Sequence, residues 1–230
     1  PKAPALMALD GRPLGGPMTW HEKALDAKAK TAAARLASAC PGFYLAGGTG
    51  LALRLGHRVS LDLDLFSADN SLANNERAAI LEGLKSSGGL EVAESKDGTC
   101  HLVLEATRVS LLRYPYPLLK PTSGWRGLAV ASLEDIAAMK VSAIIGRGAK
   151  KDFVDLYEVC GGLGLEAVLE AASKKYRHHA DFILQAARAL VLFEDAEKDP
   201  MPRLLKRMSW ERIKAYFEKE VPRLVGKLLA

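Results

Sequence analysis

Cysteine is scarce in this sequence. The three present, Cys40, Cys100 and Cys160, are far apart, and no CxxC pair occurs. That excludes a disulfide framework and a cysteine-built zinc site, and it suits a reducing, cytoplasmic setting. Long apolar runs are missing too. None reaches the ~18 residues that span a bilayer, so no membrane partner is expected. The opening stretch, "PKAPALMALDGRPLGGPMTW", lacks a basic patch followed by an apolar core and does not read as a signal peptide. It also lacks an initiator Met, so the natural start is expected to be missing or processed. No GK[ST] follows a glycine-rich turn, which excludes a P-loop. There is no internal repeat and no low-complexity tract.

What is present is ordinary globular chemistry. The 230 residues are 49% hydrophobic and 26% charged, enough for a substantial core in one large domain or two small ones. Charge is uneven. Residues 203–230 hold eight cations (Arg203, Lys206, Arg207, Arg212, Lys214, Lys219, Arg223, Lys227) against Glu211, Glu218 and Glu220, which accounts for the whole net charge of +5. Such a tail fits a nucleic acid or an acidic partner, or else is a solvated basic helix.

The pattern predicts an irregular arm over residues 1–19 and a helix over 20–39. "FYLAGG" reads as a short strand closed by glycines. "TGLALRLG" reads as a helix that Thr49 caps and Gly56 stops. "VSLDLDLFS" alternates strictly and reads as a strand. A helix over 71–86 ends at "SSGG". "LEVAES", "CHLVLEA" and "RVSLLRYP" read as an antiparallel meander, and "YPYPLLKPTSGW" as a crossing loop. From Ser132, which with Asp135 resembles a capping box, the pattern is helical. Helices are expected at 133–147, 150–160, 165–173, 176–195 and 203–229. The expected fold class is α+β: a mixed sheet with flanking helices over residues 1–131, followed by an all-helical half over 132–230.

Strand alternation puts Leu61, Leu63 and Leu65 into the core and Ser60, Asp62 and Asp64 on the opposite face. Aspartate is disfavoured in strands, and two like charges on one face repel. A divalent cation such as Mg²⁺ offsets that repulsion, since it takes one or two carboxylates together with phosphate oxygens and waters. A charged edge strand that deters aggregation is the alternative. Gly47, Gly48 and Thr49 stand where strand turns into helix, and helix N-termini bind phosphate. A tight turn alone also explains them. Together these pieces suit a nucleoside triphosphate with its Mg²⁺. Arg58 is placed to touch phosphate and Ser60 shares the aspartates' face, although a structural role for either fits as well. His57, His178 and His179 receive no role.

Lys140 falls on the apolar stripe of Leu133, Ile136, Ala137, Val141 and Ile144. It needs an anion such as a triphosphate, or it snorkels at the stripe's edge. Asp152 and Asp155 share a face distinct from Phe153, Leu156, Tyr157 and Cys160, and either pair with a lysine or serve the site.

"LAGGTGLALRLGHRVSLDLDLF", "RVSLLRYPYPLL" and "VASLEDIAAMKVSAIIGRGAKKDFVDLYEV" resemble, in order and spacing, the AbiEii/AbiGii-type nucleotidyltransferase toxins of the DNA polymerase β-like superfamily. The resemblance covers residues 43–160. It implies a nucleotidyltransferase with NTP as substrate and a cognate antitoxin, and some relatives modify the acceptor end of tRNA. It implies that Asp62 and Asp64 hold metal and that Lys140 and Asp155, with Asp152 second, join the active set. One feature departs from the wider superfamily. A third metal carboxylate on a neighbouring strand is missing from "RVSLLRY", and Glu105 falls at the turn. The toxins often share that gap. Two other readings follow: a nucleotide-binding regulatory module without transfer, or a small-molecule, antibiotic-modifying nucleotidyltransferase.

Overall fold

Alternation of leucine with aspartate at the centre of the chain sets the sheet's two faces. The computed structural model describes residues 19–85 and 88–228. The expected N-terminal arm, apart from Thr19, and the first two residues of "SSGG" lie outside the described residues. The chain divides into two compact units, His21–Ser132 and the residues from Leu133 onward.

In the first unit α1 (Ala27–Ala39) precedes β1 (Tyr44–Leu45), α2 (Gly47–Leu55) and β2 (Asp62–Ser67). Then come α3 (Asn74–Lys85), β3 (Leu90–Lys96), β4 (Thr99–Leu104), β5 (Thr107–Arg113), β6 (Ser123–Trp125) and β7 (Leu128–Val130). The strands form one seven-stranded mixed sheet in the order β3-β4-β5-β2-β1-β7-β6. Central β2 runs parallel to β5 and antiparallel to β1. Leu63, Leu65, Val109, Leu111, Cys100, Leu102 and Leu104 line one face at 0–2% exposure, with α1 and α3 against that side. Each such leucine contributes about 1.5–3 kcal/mol by leaving water. Asp62, Asp64, Arg108, Ser110 and His101 occupy the other face.

Several expectations need correction. Leu61 is 62% exposed because β2 begins only at Asp62. The helix expected from residue 20 starts at Ala27, where Asp26 accepts from the Ala29 amide at 2.8 Å and caps it. Thr49 does not cap α2; it lies inside the helix, and Ala46 occupies the cap position. Gly56 does end α2 in the left-handed conformation, φ 60°. The meander is antiparallel as expected. The crossing loop, however, ends in β6, and β7 follows it.

The second unit contains α4 (Leu133–Arg147), α5 (Lys150–Leu163), α6 (Leu165–Lys175), α7 (Phe182–Ala189), α8 (Glu194–Lys198) and α9 (Trp210–Leu228). The single helix expected over 176–195 is instead α7 and the start of α8 with a break between. Asp135, expected as a capping side chain, is fully buried and accepts from Lys175 Nζ at 2.8 Å. No described helix is long and apolar enough to cross a membrane.

Candidate active site

The strand-to-helix turn after β1 is built around Asp64. Gly47 has φ +61°, a left-handed conformation that suits glycine. A Cβ on Gly47 would lie 2.9 Å from Asp64 Oδ2, so only glycine lets this backbone rest on the carboxylate. A Cβ on Gly48 would collide with the Arg58 guanidinium and stand 3.5 Å from Ser60 Oγ. The glycine pair, Arg58, Ser60 and Asp64 are therefore neighbours. The first intrahelical bond of α2 runs from Gly50 N to Ala46 O, and Ala46 has no side chain to cap the turn. The amides of Gly47, Gly48 and Thr49 precede that bond, the arrangement that suits phosphate oxygens.

The Thr49 side chain faces away from that role. It is buried, its hydroxyl donates to the Asp62 carbonyl, and Ser60 Oγ stands 2.8 Å from it. Thr49 and Ser60 thus pin α2 to the start of β2. Arg58, 5% exposed, donates from one guanidinium nitrogen to the Val59 carbonyl at 3.0 Å.

Asp62 and Asp64 share the polar face of β2, each partly exposed. A counter-ion for Asp62 comes from the chain itself. Arg108 on β5, its register partner, donates from Nε to Asp62 Oδ1 at 2.7 Å. The carboxylate raises the Arg108 pKa further. The repulsion that pointed to a cation is thus partly relieved without metal. Two carboxylates still suit Mg²⁺, whose remaining ligands are phosphate oxygens and waters, and the uncapped glycine amides stand beside them. Among the described residues no group of three or more His, Cys, Asp or Glu could hold a metal ion.

In the helical unit Lys140 on α4 is 4% exposed. Its ammonium lies 2.7 Å from Asp152 Oδ1 and 2.6 Å from Asp155 Oδ2, both carboxylates on α5. Arg147 joins Asp152 at 2.8 and 3.1 Å. Burial pushes the Asp152 carboxyl up, but Lys140 and Arg147 outweigh it and hold it below the usual carboxylate range. Lys140 is therefore not a snorkelling side chain. It is the hub of a buried ionic cluster.

The family model for the nucleotidyl transferase AbiEii toxin of type IV toxin–antitoxin systems matches residues 32–228. The chain belongs to the AbiEii toxin family. It is accordingly a nucleotidyltransferase of that family. It is 35% identical over 190 residues to the uncharacterized protein aq_aa25 of Aquifex aeolicus (strain VF5), covering 79% of this chain and 87% of that one. Among solved structures it is similar to MenT4, a nucleotidyltransferase toxin from Mycobacterium tuberculosis H37Rv. The TM-score is 0.55 at 19% identity, over 85% of this chain and 84% of that one. It is also similar to the antibiotic-resistance factor ANT(2'')-Ia, with TM-score 0.52 and 18% identity, over 67% of this chain and 95% of that one. At these identities both show a shared fold.

For this AbiEii-family chain, sequence reasoning missed Arg108. Alternation fixes which face a strand residue takes, but not which strand lies beside it. Nor does a count of charges show which cations of the tail are paired. Lys206 pairs with Glu158, Lys214 with Glu197 at 2.6 Å, and Arg223 with Glu220 at 2.8 Å. Arg203, Arg207, Arg212 and Lys219 are exposed and make no ion pair among the described residues. Lys206, Arg207 and Arg212 line a shallow hollow beside the start of α9. The side chain of Lys227 lies outside the described residues.

Proposed function

We propose that this chain transfers a nucleotide from an NTP to an RNA acceptor, with tRNA as the candidate, in a Mg²⁺-dependent reaction restrained by a cognate antitoxin. One observation carries the reading: Gly47 rests on Asp64, which brings uncapped helix amides and metal-type carboxylates together. Asp62 and Asp64 would hold Mg²⁺, whose chemistry is to bridge and neutralise phosphate oxygens. The amides of Gly47, Gly48 and Thr49 bind phosphate oxygens, and Arg58 and Ser60 support that turn. Lys140 and Asp155, ion-paired in the helical unit, complete the set the family resemblance implies. The exposed cations Arg203, Arg207, Arg212 and Lys219 favour an RNA acceptor. We assign residues 1–131 to a nucleotidyltransferase-like domain and 132–230 to a helical one. The setting fits the cytoplasm, with Cys40, Cys100 and Cys160 all free.

The Arg108–Asp62 pair favours a second reading, a module that binds nucleotide without transferring it. Incubation with each labelled NTP, Mg²⁺ and total RNA separates the two. Label appearing on an RNA band supports transfer. Saturable NTP binding with no labelled product supports the module, and label on small molecules alone replaces RNA as the acceptor.

A further inference from the structure

β5 carries no carboxylate beside the paired aspartates, and the sheet register shows which side chains stand there. On β5, Ser110 is the register partner of Asp64. On β4, His101 is the partner of Ser110, and on β3, Glu94 is the partner of His101. The four side chains form one row across four strands on the polar face. Neighbouring strands lie about 4.8 Å apart, so Ser110 is one strand spacing from Asp64 and His101 two.

One link of the row is a hydrogen bond and the next a looser charge contact. His101 Nδ1 lies 3.2 Å from Ser110 Oγ, and His101 Nε2 lies 3.8 Å from Glu94 Oε2. Lys96, 2.7 Å from Glu94, holds that carboxyl below its usual range, so Glu94 is an anion at neutral pH. An anion facing Nε2 favours the proton on Nε2 and leaves Nδ1 to accept from Ser110. The charged groups sharing this face on β2 and β5 are Asp62, Asp64 and Arg108, which is bound to Asp62. Serine, histidine and glutamate thus stand in the roles of a hydroxyl, its base and the base's orienting anion.

We propose that this row is the proton acceptor of the transfer reaction, with Ser110 meeting the acceptor hydroxyl and His101 taking the proton behind it. The proposal rests on the transferase reading above. The acceptor oxygen bonds to the α-phosphorus, and the bond from that phosphorus to the bridging oxygen breaks, releasing pyrophosphate. The acceptor's proton passes to Ser110 Oγ, whose own proton passes to His101 Nδ1. The resulting imidazolium faces Glu94.

His101→Gln keeps polar contacts but cannot take the proton. It should lower kcat about 100-fold with KM and the melting temperature little changed, and flatten the acidic limb of the pH–rate profile. Free imidazole should restore rate to His101→Ala, and ¹⁵N NMR of the wild-type protein should show the Nε2–H tautomer. A His101→Gln rate within about twofold of wild type, with the same pH profile, overturns the proposal. So does the Nδ1–H tautomer. Asp62→Asn, run in parallel, separates the two levels. If that variant loses transfer while His101→Gln keeps it, the relay alone is wrong. If the wild type transfers nothing, both readings fall.

Discussion

At the scale of single residues, Lys140 makes the sharpest demand. Its ammonium serves two fully buried carboxylates, and removing it takes a cation from both Asp152 and Asp155. Breaking a buried pair by deleting one partner costs about 3–5 kcal/mol. Lys140→Ala should therefore lower the melting temperature by roughly 10 °C. An unchanged melting temperature with weakened NTP binding would mean that the lysine serves phosphate and not the cluster. Asp152 adds a pH dependence. Its folded carboxyl is held below the unfolded value, so its stabilisation is fully present above about pH 4 and is lost as pH falls through the folded value. Acid titration of Asp152→Asn should show less of that loss than wild type. The stripe of α4 placed Lys140 among inward-facing residues but left open whether its ammonium stays inside or snorkels at the edge. That its anions would be Asp152 and Asp155 stayed open, because spacing gives the face of each helix and not the contact between helices.

At the scale of elements, α9 shows both how far pattern reaches and where it stops. Trp210, Ile213, Phe217, Val221 and Leu224 make the buried stripe, with Phe217 against Phe153 of α5 at 5.7 Å between ring centres. That stripe is legible from its helical spacing. Its start is not, because residues 203–209 are rich in cations and leucine and read as helix. In the structure Ser209 Oγ accepts from the Arg212 amide at 3.3 Å, so the helix begins at Trp210. The strands divide the same way. Alternation shows β2, β4 and β5, whereas β6 and β7 have only three residues each, too few for a period to register. The cations of this segment also divide. Reversing Lys206 or Lys214 to Glu breaks ion pairs with Glu158 and Glu197, so a loss of RNA binding there would be ambiguous. Reversing Arg203, Arg207, Arg212 and Lys219 to Glu leaves those pairs intact. It should weaken RNA binding and flatten its salt dependence by about 0.9 per lost phosphate contact on a duplex, with NTP affinity unchanged. An unaltered salt slope would make this face a solvated surface or an antitoxin dock.

At the scale of the whole molecule, the chain carries a polar sheet face above a leucine-lined one. Everything chemical that the sheet unit offers lies on the polar side: Asp62, Asp64, Arg108, Ser110 and His101, with the glycine turn resting on Asp64. The two aspartates and the turn were legible because a strand cannot place charge on one face without showing it in the alternation. Arg108, Ser110 and His101 were not, since they join the site through register with strands up to 46 residues away in sequence. The account stands or falls on those two aspartates, and one comparison tests it most directly: transfer of labelled nucleotide by the Asp62→Asn, Asp64→Asn double variant against wild type, with Mg²⁺ present and melting temperatures measured alongside. The account predicts that transfer is abolished while the variant stays folded, because both aspartates are partly exposed and the Arg108–Asp62 pair is worth at most about 1 kcal/mol. Full transfer by a folded double variant would contradict it.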